Sequence, residues 1–150
     1  MTYEPSLLAR DGLGVLQCAF FSWSGTPTVN NPITPALVGS SSGFTPVISG
    51  NDIQLPPGEY LMRGYIAITR TTTSSNLVFQ WREVGGSLIG ENGATNRELS
   101  PGTVLLSLDS VDAHLTLTSP GSVQLEMTQV DAGITLDATN SHAMIWRLPQ

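Results

Sequence analysis

The chain has 150 residues, of which only 12% are charged, and a formal net charge of −6. All of its positively charged side chains are arginine, and so few cations cannot form the basic patch that phosphate groups require. We therefore expect no nucleic-acid partner and no membrane partner, and no apolar run reaches the roughly 18 residues of a membrane-spanning helix. The single cysteine, Cys18, excludes an intrachain disulfide and is interpreted as a small hydrophobe buried on a strand.

The N-terminal residues differ in pattern from the rest of the chain. Residues 1–14 carry proline and glycine without a sustained period, which predicts an N-terminal arm ahead of one domain over residues 15–150. Residues 15–23 then form a first strand that is apolar on both faces. Four prolines follow between residues 24 and 49, which predicts a long loop with short edge strands inside it.

The stretch from Ile53 to Ile68 is the centre of the predicted domain. Its Pro56–Gly58 step breaks one strand and starts another, because proline cannot donate to a ladder and glycine accepts positive φ. Beyond this step both alternate faces are mostly apolar, with Leu61, Tyr65 and Ala67 sharing one of them. Such a strand is covered on both sides, by the domain core on one and, we expect, by another copy of the chain on the other.

The second half of the chain contains clearer strand signals. Residues 77–84 alternate apolar and polar side chains, and Gly85-Gly86 marks a hairpin. Residues 111–118 and 123–129 alternate in the same way, and residues 143–148 form a last strand that is apolar on both faces.

No segment has the apolar stripe of a helix, so we predict an all-β fold with very little helix. Eight to ten short strands with turn signals between them are typical of an antiparallel β-sandwich of two sheets, with jelly-roll topology. Strands that are apolar on both faces belong together in one sheet, whose outer surface then becomes a subunit interface.

The sequence offers little catalytic chemistry. No nucleophile-elbow, zinc-protease or phosphate-loop motif occurs, so we expect neither an enzyme nor a bound cofactor or metal. Asp112 and His114 are two residues apart on a strand and therefore share a face. Two interpretations remain open: a solvated polar face, or an ion held on a symmetry axis by three copies of His114 and Asp112.

The chain resembles the tumour necrosis factor and complement globular-head superfamily in three features. These are an aromatic first strand, the run Leu55-Pro56-Pro57-Gly58-Glu59-Tyr60 and a short apolar last strand. The resemblance covers residues 15–148. In that family the first, third and last strands share an inner sheet that packs around a threefold axis. It therefore implies a homotrimer, and the expected trimer-interface residues are Leu61, Tyr65, Ala67, His114 and Ile145.

The receptor-binding loops and cysteines of the animal cytokines have no counterpart, so the resemblance does not imply signalling. A lysine-free head without a shaft repeat or secretory signal resembles the trimers of bacteriophage virions. We therefore predict a capsid decoration (cement) protein, made in the host cytoplasm and located on the capsid surface of the virion. Its partner is the major capsid protein, and Tyr3, Leu7 and Leu8 form a capsid-gripping arm. A frayed terminus is the other interpretation of that segment.

The alternative function is the receptor- or carbohydrate-binding head of a phage fibre or tail. Such an adhesin binds a host surface glycan by stacking exposed aromatic rings on sugars. Trp23 is the aromatic residue that this alternative requires to be accessible, because it ends the first strand beside the long loop. Trp81 and Trp146 lie within strands and are expected in the core.

Overall fold

The computed structural model describes residues 16–71, 75–95, 105–106 and 110–149. These residues form strands, turns and loops, and none of them belongs to a helix that could cross a membrane. The strands of the described residues are β1 (Gln17–Ser24), β2 (Asn31–Pro32), β3 (Thr34–Ser40), β4 (Val47–Ser49), β5 (Asp52–Leu55), β6 (Gly58–Tyr65), β7 (Ala67–Arg70), β8 (Leu77–Glu83), β9 (Leu88–Thr95), β10 (Leu105–Leu106), β11 (Val111–Leu117), β12 (Gly121–Val130), β13 (Ile134–Leu136) and β14 (His142–Arg147).

Two large antiparallel sheets face each other across the core. The five-stranded sheet has the order β11-β6-β14-β1-β3, and the six-stranded sheet has the order β4-β5-β12-β8-β9 with β2 paired to β12. A smaller sheet, β10-β7-β13, continues beyond β6. The predicted all-β jelly-roll sandwich is therefore confirmed. The predicted arm, residues 1–14 with Tyr3, Leu7 and Leu8, lies outside the described residues.

The turn before β6 is held by two side chains. The Tyr60 hydroxyl donates to the carbonyl of Pro56 at 2.6 Å, and Arg147 Nη2 donates to the carbonyl of Pro57 at 2.7 Å. Burial raises the pKa of Tyr60, and the nearby positive charge of Arg147 partly offsets that increase. The last strand of the chain thus fixes the entry into the central one.

The sequence predicted one continuous central strand, but the structure breaks it in two. β6 ends at Tyr65 and β7 begins at Ala67 in a different sheet. The backbone of Ala67 exchanges hydrogen bonds with the hydroxyl of Ser141, which is itself buried. This shift at Ile66 interrupts the alternation of faces, so three consecutive residues, 66–68, are all buried.

The core forms where the inner faces of the two large sheets meet. Trp23 of β1 and Trp81 of β8 lie with ring centroids 5.9 Å apart, and each is at most 1% exposed. Trp81 also donates from Nε1 to the backbone carbonyl of Val111, 3.2 Å away in the opposite sheet. The expectation that Trp23 is accessible was wrong, because its side chain follows the inward alternation of β1 rather than the adjoining loop.

One side of the sandwich is closed by β9 packing against β11. Gly90 has φ +74°, and a Cβ atom there would overlap the backbone carbonyl oxygen of Asp112. Only glycine combines this conformation with so close an approach of two strands. The side chain of Gln80 donates to the carbonyl of Gly90 at 2.7 Å and holds β9 in place.

Candidate functional site

The outer face of the five-stranded sheet is the candidate site. Every second residue of its strands points away from the core and is exposed or half-buried. Among these outward residues are Cys18, Phe20 and Ser22 of β1, Glu59, Leu61, Arg63 and Tyr65 of β6, Asp112, His114 and Thr116 of β11, and His142, Met144 and Trp146 of β14.

Strand register arranges these side chains in rows across the sheet. In one row His114 pairs with Leu61, Leu61 with Trp146, and Trp146 with Cys18. Residues opposed in this way have neighbouring side chains. Cys18 is half-buried on this outer face, which corrects the prediction that it belongs to the core.

The next row runs parallel to the first. Asp112 pairs with Arg63, Arg63 with Met144, and Met144 with Phe20. Taken together, the two rows place four large apolar side chains side by side across β6, β14 and β1. We call them the apolar stripe: Phe20, Leu61, Met144 and Trp146. Within one chain Phe20 is 44% exposed and Leu61 is 43% exposed.

An ion pair borders the stripe on the β11 side. Arg63 donates from Nε and Nη2 to the two carboxylate oxygens of Asp112, at 2.7 and 2.6 Å. These hydrogen bonds from Arg63 lower the pKa of Asp112, although partial burial acts in the opposite direction. They also raise the pKa of Arg63.

Two histidines of this face are likewise paired. His114 Nε2 lies 2.7 Å from a carboxylate oxygen of Glu59, and the ring of His142 stacks on Tyr65 with centroids 4.7 Å apart. Asp112 and His114 do share a face, but each is engaged by its own partner on β6. In the described part of the chain no three metal-ligating side chains come together. The solvated polar face stays the preferred interpretation of this pair, and an ion held jointly by three copies of the chain stays the alternative.

A groove of about 760 Å³ lies beside the stripe. Leu16, Leu61, Trp146 and Leu148 contribute apolar walls, and Glu91 of β9 also lines it. The groove and the stripe share Leu61 and Trp146, so the stripe continues into the groove, which Arg63, Asp112 and His114 line as well.

The structure sorts the predicted interface residues into two groups. Leu61, Tyr65 and His114 lie on the outer face. Ala67 and Ile145 are 0% exposed within one chain, so neither offers side-chain surface to another copy. Ala67 is buried because of the strand break at Ile66, and Ile145 because β14 alternates with it inward.

Sequence reasoning missed three members of the apolar stripe: Phe20, Met144 and Trp146. Trp146 was expected in the core, yet it is only half-buried and points outward. Alternation shows that Ile145 and Trp146 lie on opposite faces. In a strand that is apolar throughout, it does not show which face is inside.

No protein-family model and no curated protein sequence matches the chain. Solved structures do match. Murine APRIL at pH 5.0 superposes with a TM-score of 0.60 at 11% identity, covering 89% of this chain and 99% of that one. The globular domain of zebrafish complement 1qA protein has a TM-score of 0.58 at 13% identity, covering 89% and 95%. Eiger TNF from S. frugiperda has a TM-score of 0.57 at 15% identity, covering 87% and 91%.

At these identities the similarity establishes the fold. The chain is a jelly roll like those of tumour necrosis factor proteins and complement globular heads, as the sequence resemblance implied.

Proposed function

We propose that this protein is a homotrimeric structural component of a virion, a decoration protein that binds the outside of an assembled bacteriophage head. The proposed role is non-catalytic, and its partners are two further copies of itself and the major capsid protein. The observation that carries the proposal is the apolar stripe on the outer face of the five-stranded sheet, whose Phe20 and Leu61 are exposed and whose Met144 and Trp146 are only half-buried.

The composition of this face supports self-association. Interfaces between proteins are enriched in aromatic residues, methionine and arginine at the centre, with a polar rim around them. The stripe supplies tryptophan, phenylalanine, methionine and leucine, and the Arg63–Asp112 pair borders it. A stable interface buries about 800 Å² on each partner, and burial of apolar surface contributes roughly 25 cal/mol per Å².

The proposal that the trimer attaches to a capsid rests on the charge and composition of the chain. Its charge is low and negative, it has no lysine, and Ser, Thr, Asn and Gly replace the missing charges. A ligand that binds only the assembled shell stabilises that shell by mass action, without any catalytic group. This is the physical role that we propose for the trimer.

The alternative function, an adhesin that binds a host glycan, required Trp23 to be accessible, and it is not. Trp23 lies in the core and packs against Trp81 with the two rings tilted. Trp146 lies on the sheet surface that we assign to the trimer interface. In the described part of the chain, therefore, no tryptophan lies exposed in a loop. Glycan binding is kept as an outcome of the experiment below.

The first test is the mass of the purified protein in solution. Light scattering should give three times the 15.9 kDa of one chain, with no change on moderate dilution. A mass of one chain at high concentration would overturn the proposal at its base.

The second test separates the two functions. The purified protein is added to undecorated heads, to unexpanded precursor heads and to host cells, and the retained protein is measured after sedimentation. We expect retention on assembled heads, together with a higher disruption temperature of those heads. Retention on host cells alone would favour the adhesin.

A further inference from the structure

The groove beside the apolar stripe lies at the point where the described chain begins. Leu16, the first described residue, is part of the groove wall and is 46% exposed. The sequence continues for 15 residues ahead of Leu16. Contiguous exposed apolar surface is typical of a site that another segment covers. The segment ahead of Leu16 is thus tethered directly beside such a surface.

The charged side chains that line the groove differ in one respect. Arg63 and Asp112 pair with each other, and His114 pairs with Glu59. Glu91 lines the groove from β9 and is exposed. Its carboxylate has no ion-pair or hydrogen-bond partner within the described part of the chain. The groove therefore combines an apolar wall with one carboxylate that lacks a counter-charge.

The span from Leu16 to Glu91 matches the length of a short extended segment. From Leu16, beside β1, the sheet continues through β14 and β6 to β11, and β9 packs closely against β11. Four strand spacings of about 4.8 Å give roughly 19 Å. Arg10 precedes Leu16 by six residues, which span roughly 20 Å when extended. Arg10 can therefore reach Glu91 along the groove.

The sequence of residues 10–15, Arg-Asp-Gly-Leu-Gly-Val, fits the chemistry of the groove. Leu13 and Val15 are two residues apart, so an extended backbone places both on one face. The two glycines carry no side chain that would hold the segment away from the sheet. Arg10 supplies the positive charge that Glu91 lacks.

We propose that residues 10–15 lie in the groove of their own chain, with Leu13 and Val15 against its apolar wall and Arg10 paired with Glu91. Residues 1–9 then continue past β9 and remain available for the capsid contact. The inference goes beyond the proposed function and needs no trimer, because one chain supplies both the segment and the groove. The groove meets the stripe at its edge, so the segment borders the association surface.

The test is limited digestion of the full-length protein with trypsin. The chain has no lysine, so trypsin cleaves only after arginine. A synthetic peptide of residues 1–16 gives the rate of cleavage after Arg10 for the same sequence without a groove. In the protein this cleavage should be slower by about 10-fold or more, because only the undocked population is cleaved. Cleavage after Arg82, within β8, reports global unfolding and should stay slow.

Two substitutions in the groove wall should release the segment. Leu148→Ser removes apolar surface outside the stripe and should speed cleavage after Arg10 by about 3- to 10-fold. Glu91→Gln removes the counter-charge and should speed it by about 2- to 5-fold, as is typical of an exposed ion pair. Val84→Ser and Glu83→Gln, matched changes on the other sheet, should leave the rate at the wild-type value.

A disulfide locates the segment directly. In a Cys18→Ser background, Arg10→Cys with Glu91→Cys should form an intrachain disulfide in oxidised glutathione, since the proposed pairing brings the two Cβ atoms within reach. Arg10→Cys with Val84→Cys, which is exposed just after β8, should react much more slowly. A covalent multimer through Glu91→Cys would place the segment in another copy and overturn the assignment to its own chain.

The proposal is also overturned if the wild-type protein is cleaved after Arg10 as fast as the peptide. The same holds if either groove substitution leaves the cleavage rate unchanged, because the segment then lies elsewhere. The mass in solution is measured separately. A monomer in which Arg10 is protected would refute the trimer and leave this inference standing, whereas a trimer with an unprotected Arg10 would do the reverse.

Discussion

The outer faces of the two large sheets differ sharply, although both sheets contribute the same kind of inner face to one core. On the six-stranded sheet the outward positions carry polar side chains such as Gln54, Gln80 and Gln124, and the exposed apolar side chains Val47 and Leu88 lie apart on its two edge strands. On the five-stranded sheet the corresponding positions carry the apolar stripe. The inward-facing side chains, which build the core, are therefore similar in the two sheets. The outward-facing side chains distinguish the two sheets.

The ion pairs of the two sheets show the same contrast. Glu126 of the six-stranded sheet has a side chain that is only 7% exposed, and it pairs with Arg82 beside β2, which adds to the edge of β12 at that point. Asp112 and Arg63 of the five-stranded sheet are 51% and 41% exposed. The ion pair of the six-stranded sheet is therefore largely buried within its own chain, whereas that of the five-stranded sheet is exposed.

The largest effect is expected in the core that both sheets share. Trp81→Ala should lower the free energy of unfolding by about 3–5 kcal/mol, because it removes a fully buried ring and leaves a cavity. The bond from Trp81 Nε1 to Val111 is lost as well. Denaturant unfolding measures the change. Val84→Ala, at an exposed position, should stay within about 0.5 kcal/mol of wild type. Similar losses for both variants would contradict the assignment of the core.

Adding one charge to each outer face tests most directly which of the two faces mediates self-association. Leu61→Glu should weaken self-association by about 100-fold or more, because an unpaired charge buried in an interface costs several kcal/mol. Gln54→Glu adds the same charge to the exposed outer face of the six-stranded sheet and should leave the mass unchanged. Light scattering over a dilution series reads both variants. Equal behaviour of the two would refute the assignment of the association surface.

The seam between β9 and β11 joins the two sheets and can be tested with matched glycines. Gly90→Ala should destabilise the fold by about 1–3 kcal/mol, since it combines backbone strain at φ +74° with overlap on Asp112. Gly85→Ala imposes a similar strain at φ +79° but meets no atom within 4 Å. Chemical denaturation should therefore show a larger loss for Gly90→Ala. A larger loss of stability for Gly85→Ala than for Gly90→Ala would contradict the close approach of β9 to β11.

The smallest effect concerns the exposed ion pair beside the stripe. Because Arg63 lowers the pKa of Asp112 in the folded state, the stability from this carboxylate is present above its unfolded pKa of about 3.9. It is lost as the pH falls through the folded value. Asp112→Asn should thus cost less than about 1 kcal/mol at pH 7, since exposed pairs are screened, and the gap to wild type should close in strong acid. Melting curves at several pH values give the result, and a gap that does not change with pH would refute the pairing.

Strand alternation in the sequence was sufficient wherever one face of a strand is polar. In β8, β11 and β12 the apolar residues that were predicted to face the core are buried, because a period of two with a clear polar contrast shows directly which side faces the core. Glu126 of β12, predicted on the polar face, is buried as well, in its ion pair with Arg82. The same reasoning failed for Ile145 and Trp146 in β14. Both are apolar, and the pattern contains no information about which of them faces inward.

The sequence by itself determined that this is an all-β sandwich and that β1, β6 and β14 carry apolar side chains on both faces, because alternation and turn chemistry are local properties of the chain. Only the tertiary structure decided that Cys18, Leu61, His114 and Trp146 lie in one row. Their positions depend on register between strands that are far apart in sequence, and the shift at Ile66 that buries Ala67 depends on pairing with other strands. Local pattern specifies strands, whereas pairing between distant segments specifies the surface that they build.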